Sequence, residues 1–375
     1  MRVLVPMGTR PEIVKLAPVV EALSADTRFS VRTVATGQHY DAELTETFYE
    51  TFGLEPDIRW SLVDTGPGRL GEILVRAYNE LSTQRPDVVL LLGDTHTVPL
   101  FCLAARNARV PVVHLEAGLR SFNATSVEEV NRKVAASTAS LHLAPTDLAA
   151  RFLYEEGIAP ERVRVVGNPV IDALRKLDVR PTPLGERAGA VVTAHRATNV
   201  DDPVRLSLLV DIVTGLAREL SPVWFPVHPR TRARLEEQGL SGRLEQSDVR
   251  VLGPIPYLRM LSLLSAAQVV VTDSGGLQEE AAWLRVPVVV LRRSTPRWEG
   301  IAAGTSTLVG LDVDAALDAA FSYAAPDRQA LVAGVPCPYG DGTTAERVAQ
   351  VLGDPSVQPL LRLEEPDYVG KCAPT

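Results

Sequence analysis

Asp94, Glu116 and His195 each stand at the end of a short apolar run, and carboxylates and an imidazole so placed suit acid–base chemistry on a bound anion. The seat for that anion is most legible in Val269-Val-Val-Thr-Asp-Ser-Gly-Gly-Leu-Gln-Glu-Glu-Ala281, which reads as buried strand, tight turn and helix. Ser274 offers a helix cap, and Gly275 and Gly276 let the backbone come close to a ligand. Unpaired N–H groups in such a turn, with the positive end of the helix dipole, suit a diphosphate. Glu279 or Glu280, one turn inside, is placed to accept hydrogen bonds from a ribose. The same Ser-Gly-Gly also suits a plain strand-to-helix turn that binds nothing.

Other strand ends carry further candidates. After Val3–Met7 comes Gly8-Thr-Arg-Pro-Glu12, where Arg10 lies in the turn and Lys15 in the first turns of a helix, a possible second anion site. An ordinary capped helix with solvated basic residues would look alike, but a buried crossover turn has no structural need for an arginine. Asp87–Leu92 delivers Asp94 and Val110–Leu115 delivers Glu116, so both should reach one crevice at the carboxyl ends of parallel strands. Asp94 alone also reads as a helix cap, whereas a carboxylate closing an apolar strand like Glu116 is costly unless paired or catalytic. Glu128 or Glu129 begins a helix and either turns toward that crevice or stays solvated at the helix start. His195 and Arg196 follow the strand-like Val191–Ala194, and His195 reads as a functional group. Arg292 to Glu299 reads as an exposed, highly functionalised loop, from which Arg297 is taken as a substrate-binding residue.

The elements that position these residues form two βαβ series, from Met1 to about Asn168 and from Ala190 onward. The expected fold is α/β, with two Rossmann-like domains facing across a cleft, over residues 1–174 and 190–354. Pro181, Pro183 and Gly185 mark 175–189 as the linker, and 355–375 reads as a loosely held tail. A chain of 375 residues suits two cores, since a single core rarely serves more than about 250–300 residues. Gly66-Pro-Gly-Arg-Leu-Gly71 matches a dinucleotide fingerprint by letter only. Lacking a clean preceding strand and a partner acid, it reads as a loop and helix start.

Composition narrows the partners. With 46% hydrophobic and 22% charged residues, a net charge of -8 and a pI near 5.4, the chain does not suit nucleic acid or an anionic membrane. No apolar run approaches the roughly 20 residues that span a bilayer. Cys102, Cys337 and Cys372 are too far apart for a disulfide framework or a cysteine-based metal site, so a cytoplasmic location and no metal are expected. Two halves with anion donors, and with carboxylates and a histidine among them, suit nucleotide-sugar chemistry.

In order along the chain stand Gly8-Thr-Arg-Pro-Glu12, Gly37-Gln-His39, Gly93-Asp-Thr95, Glu116-Ala-Gly-Leu-Arg120, Glu128-Glu129 with Asn131-Arg132, Gly167-Asn168, His195-Arg196, Pro226-Val-His228, Asp273-Ser-Gly-Gly276 with Gln278-Glu-Glu280, Ala303-Gly-Thr305 and Pro338-Tyr-Gly-Asp-Gly342. Together these resemble the non-hydrolysing UDP-N-acetylglucosamine 2-epimerase family, which has the two-domain GT-B fold. The resemblance implies that Asp94, Glu116 and Glu128 do the acid–base work. It further implies that His195 and Arg10 stabilise a departing diphosphate with Ser274 and Gly275, and that Glu280 holds the ribose. Gln38, His39, Arg196 and His228 match positions that bind a second, activating substrate molecule in many bacterial members. A homodimer, a UDP-N-acetylglucosamine substrate and no redox cofactor are implied as well.

The chain departs from the family pattern in three places. Ala197-Thr198 follows His195-Arg196 where Arg or Ala and then Glu is usual. Ala124 to Val127 replaces a Pro-rich lead into the paired glutamates, and Pro296 and Trp298 stand where Glu and Pro are usual. A glycosyltransferase with the same fold and diphosphate seat is the main alternative, and a hydrolysing 2-epimerase a further one. Keeping Asp94, Glu116 and Glu128 together favours epimerisation, since a transferase needs one base at most.

Overall fold

The computed structural model describes residues 1–38, 42–64 and 66–363, the side chains of 42–45 excepted. The chain forms two compact units. The first comprises Met1–Gly118, Thr125–Val166 and the segment from Ala345 onward; the second comprises Leu119–Ala124 and Gly167–Thr344.

The first unit is built on seven parallel strands: β1 (Arg2–Met7), β2 (Ser30–Ala35), β3 (Ile58–Arg59), β4 (Val88–Leu92), β5 (Val112–Leu115), β6 (Leu141–Ala144) and β7 (Val163–Val165). Their order is β3-β2-β1-β4-β5-β6-β7. Side chains alternate across β1: Val3, Val5 and Met7 pack with Ile13, Leu16 and Val20 on one face, and Leu4 packs with Ala77 and Phe101 on the other. Helices thus cover both faces, which is why β4 is apolar at every position. Strand order reverses between β1 and β4. Parallel sheets open a crevice at the carboxyl ends of the strands at such a point, and Arg10 and Asp94 lie just beyond those ends.

The second unit repeats the plan with β8 (Ala190–Thr193), β9 (Val223–Pro226), β10 (Val249–Leu252), β11 (Val269–Thr272), β12 (Val288–Val290) and β13 (Ser306–Leu308), in the order β10-β9-β8-β11-β12-β13. All pairs are parallel, with Thr193 opposite Thr272 in register. Val269 and Val271 face one core and Val270 the other. The reversal falls between β8 and β11, beyond whose ends lie His195 and Ser274.

The unit boundaries differ from the sequence expectation of 1–174, 175–189 and 190–354. Residues 167–189 belong to the second unit: Arg187 is buried and donates to the carbonyls of Arg285 (2.7 Å) and Leu284 (3.0 Å), and Thr182 N–H reaches Ser265 Oγ at 2.9 Å. The helix Thr344–Gly353 gives its apolar face to the first unit, where Val348 and Leu352 are fully buried. Val357 and Leu361, on the 3-10 turn Pro355–Leu361, are buried in the same core, so the chain past Asp354 is not loosely held as far as 363. Chain order alone assigned that helix to the second unit; only the packing of its apolar positions reassigns it. The Gly66–Gly71 stretch opens the helix Gly66–Gln84, as expected.

Candidate active site

In the first unit the carboxylates at the strand ends are held by buried cations. The Lys15 ammonium donates to Glu116 Oε1 at 2.5 Å, and both side chains are buried. That ion pair answers the cost of a carboxylate after an apolar strand, and it commits Lys15, expected as a ligand for substrate, to Glu116. Glu116 has a φ of 60°, a strained left-handed conformation for a residue with a side chain. Gly93 makes room for it, because a Cβ there would stand 3.3 Å from Glu116 Oε2.

Asp94 is half-buried and accepts from Arg132 Nη2 at 2.5 Å, while Arg132 Nη1 donates to the buried Glu129 at 2.6 Å. One guanidinium thus bridges two carboxylates, and the neighbouring Asn131 amide donates to the Asp94 carbonyl at 2.8 Å. The helix Val127–Thr138 separates the paired glutamates: Glu129 turns inward to Arg132, and Glu128 stays half-buried, accepting from Ser126 Oγ at 2.5 Å.

Arg10, at the start of the helix Arg10–Ser24, is half-buried with no hydrogen bond or ion pair to another described residue, so its guanidinium remains available to an anion. Gln38 is turned to its own unit, its Oε1 accepting from Thr97 N (3.1 Å) and Oγ1 (2.8 Å). His39 lies outside the described residues.

Glu12 is a functional candidate that the sequence reading passed over. Its buried carboxyl joins the turns after β1 and β4, accepting from Gly8 N–H at 2.8 Å and Thr95 Oγ1 at 2.8 Å. Burial raises its pKa to about 7 against the lowering effect of those hydrogen bonds. A lone glutamate in the first turn of a helix looks like ordinary dipole complementation in sequence, which hid it.

In the second unit the fully buried Asp273 organises the turn after β8. It accepts from the backbone N–H groups of His195 (3.1 Å) and Arg196 (2.9 Å), from Asn199 Nδ2 (3.1 Å), and stands 3.2 Å from His195 Nδ1. Burial acts to raise the Asp273 carboxyl, yet hydrogen bonding and charge from His195, with the two backbone donors, hold it below its ordinary value. With Nδ1 engaged, Nε2 is the ring nitrogen left to meet a ligand on a His195 side chain that is 43% exposed. Asp273 carries the same signal as Glu116, a carboxyl closing an apolar strand, but it went unremarked beside Ser-Gly-Gly.

His228 accepts from Arg230 N–H through Nδ1 at 3.2 Å, and its ring centroid lies 5.9 Å from that of His195. Arg196 Nε donates to the Asp273 carbonyl at 3.0 Å. Three of the four expected activator-site residues are therefore described, Gln38 in the first unit and Arg196 and His228 in the second.

The turn at Ser274–Gly276 runs from strand to helix as expected. Ser274 caps the helix Gly275–Trp283 by position without a side-chain bond to it, so its hydroxyl is not spent on its own helix. Gly275 is required by contact: a Cβ would stand 3.2 Å from Arg297 Cζ, whereas one on Gly276 would meet only open space. Arg297 is fixed in turn, its Nε donating to Glu279 Oε1 at 2.8 Å, an oxygen that also accepts from Asn168 Nδ2 at 2.9 Å. Of the two ribose candidates, Glu279 is thus tied into this support. Glu280 accepts from the Tyr257 hydroxyl at 2.9 Å.

The loop before Trp298 is not exposed as expected. Thr295, Pro296 and Arg297 are buried, because Thr295 Oγ1 donates to Gln278 Oε1 (3.0 Å) and accepts from Arg297 N–H (3.1 Å).

Comparison with known proteins places this geometry among relatives. A family model described as UDP-N-acetylglucosamine 2-epimerase matches residues 21–353. The UDP-N-acetylglucosamine 2-epimerase of Methanocaldococcus jannaschii is 35% identical over 369 residues, covering 94% of this chain and 99% of that protein. The UDP-2,3-diacetamido-2,3-dideoxy-D-glucuronate 2-epimerase of Pseudomonas aeruginosa is 34% identical over 363 residues, again covering 94% and 99%. The crystal structure of the Methanocaldococcus jannaschii UDP-GlcNAc 2-epimerase in complex with UDP-GlcNAc and UDP matches with a TM-score of 0.84 at 33% identity, over 94% of this chain and 99% of that one. The shared architecture is the pair of Rossmann-like domains found in GT-B proteins.

Proposed function

Because this chain belongs to the UDP-N-acetylglucosamine 2-epimerase family, a family of isomerases, we propose that it interconverts UDP-N-acetylglucosamine and UDP-N-acetylmannosamine. The C2 hydrogen of the sugar has no adjacent carbonyl to acidify it, so the proposed route is elimination. A carboxylate takes the C2 proton, the C1–O bond breaks with its electron pair going to the diphosphate oxygen, and a C1=C2 double bond forms. Re-addition of UDP to that 2-acetamidoglucal, with a proton delivered to the opposite face of C2, gives the epimer. Asp94, Glu116 and Glu128 share the two proton transfers. Arg10, His195 and the turn Ser274–Gly276 over Arg297 stabilise the departing diphosphate, and Glu280 holds the ribose.

The observation that carries this reading is the pair of ion-paired groups at the ends of β4 and β5, Asp94 with Arg132 and Glu129, and Glu116 with Lys15. The cations hold these carboxylates in fixed positions, as proton transfer at one sugar carbon requires. A second substrate reading, a 2,3-diacetamido uronate attached to UDP, is favoured by the Pseudomonas aeruginosa relative at nearly the same identity. The altered residues at 121–127 and 294–299 lie on segments where such a preference would be set.

The test is NMR of the protein with UDP-N-acetylglucosamine in deuterated water. Deuterium at C2 with the manno isomer still attached to UDP supports the reading. Free N-acetylmannosamine indicates hydrolysis, and absence of exchange with UDP binding intact turns the search to the diacetamido uronate or a transferase acceptor.

The family resemblance also supports a homodimer and a cytoplasmic location. Light scattering would then return twice the chain mass of 40.5 kDa. No described helix is long and apolar enough to cross a membrane.

A further inference from the structure

Trp298, in a segment that departs from the family pattern, is joined in the structure to the stretch that leads into another such segment. Trp298 Nε1 donates to the carbonyl of Arg120 at 2.8 Å. Arg120 lies on a strap, Leu119–Ala124, that belongs to the second unit although both flanking segments belong to the first. Leu119, Arg120 and Ser121 anchor it by burial, and then the chain turns: Phe122 has a φ of 56° and is 61% exposed. A large aromatic side chain in a left-handed conformation is strained, and such strain persists only where the surroundings impose it, most often at ligand sites.

The other end of the link leads to the diphosphate seat. Trp298 follows Arg297, whose guanidinium carbon lies 3.2 Å from where a Cβ on Gly275 would stand. From the floor of the seat to the strap there is thus one arginine, one peptide bond and one indole. Resting on the functional reading above, we propose that Trp298 and the strap form one specificity element, in which the indole holds the strap beside the diphosphate seat and Phe122 presents its ring to the sugar of the nucleotide. The ligand chemistry is the pyranose carbon face next to a polar 2-acylamino group, which an aromatic face accepts as apolar surface. The wall therefore acts on the sugar and not on the nucleotide.

Calorimetry with UDP and with UDP-N-acetylglucosamine, alongside steady-state turnover, tests this on the full chain with Trp298→Phe, Phe122→Ala and the double substitution. Trp298→Phe keeps an aromatic ring while removing the donor and the smaller ring of the indole. Each single variant is expected to hold UDP within about twofold of the wild type while binding of the sugar nucleotide weakens about tenfold, appearing in KM more than in kcat. The double variant is expected to be no worse than the poorer single one, because both break one element.

Equal losses for UDP and UDP-N-acetylglucosamine would overturn the proposal and leave Trp298 a support of the diphosphate turn. So would unchanged sugar-nucleotide affinity in Phe122→Ala, or losses that multiply in the double variant. A wild type that binds both ligands with the expected variant pattern but does not exchange C2 would leave the wall standing and overturn the epimerase reading alone.

Discussion

Glu12 carries a carboxyl whose charge state departs from the ordinary. It sits in the first turn of a helix, yet its carboxyl is buried between the turns after β1 and β4 with a pKa raised to about 7. A raised pKa for an acid means that the folded state binds the proton more tightly than the unfolded chain. Its contribution to stability is therefore full below the unfolded value near 4.5 and is lost as pH rises through about 7. The span corresponds to about 3 kcal/mol. Glu12→Gln keeps the acceptor oxygen and removes the titration, so its melting temperature relative to wild type should rise from pH 4.5 to 7.5. A constant difference across that range would show that Glu12 carries no such proton.

The element proposed to seat the diphosphate is the turn between β11 and the helix Gly275–Trp283. Two supports fix it from below: Arg297 against Gly275, itself held by Glu279, and Asp273 with its donors from the β8 turn. Gly275→Ala is expected to push Arg297 aside, since a contact of 3.2 Å is tighter than most Cβ atoms make and any retreat of Arg297 would loosen its bond to Glu279. UDP affinity should fall about tenfold or more by calorimetry, and an unchanged affinity would show that Arg297 yields to the added methyl. Asp273→Asn acts differently, by removing the charge that sets the His195 ring. The expected outcome is a lowered kcat, with the melting temperature also lowered by loss of the bonds that the buried carboxylate accepts from the β8 turn.

At the scale of the whole molecule, the first unit is assembled from three separated stretches of chain, the last of them beginning at Ala345. Val348, Leu352, Val357 and Leu361 close its core, and burying aliphatic side chains of this kind contributes about 1.5–3 kcal/mol each. A chain ending at Thr344 would lose a sum comparable to the stability of a whole domain. Such a truncation should leave the first unit open to proteolysis, while a chain ending at 363 should remain resistant. Equal resistance of the two would mean that this helix is dispensable to the core.

What the sequence by itself determined was local. The alternation of Val3 to Met7, the apolar run of β4, the Ser-Gly-Gly turn and the carboxyl after β5 each follow from residues that are neighbours in the chain, where period, propensity and turn chemistry act directly. Those features were enough to predict two α/β halves and to place Asp94, Glu116, His195 and Ser274 beyond strand ends, as found. Only the tertiary structure decided which charges are paired. Lys15 meets Glu116 across 101 residues, Arg132 joins Asp94 to Glu129, and Arg297 reaches back to Glu279. It also decided that the 119–124 strap and the helix after Thr344 leave the units that chain order would assign them. Apart from the Arg132–Glu129 pair within one helix, these facts depend on partners that are not neighbours in the chain, brought together by the order of strands in each sheet and by which core an apolar face can fill.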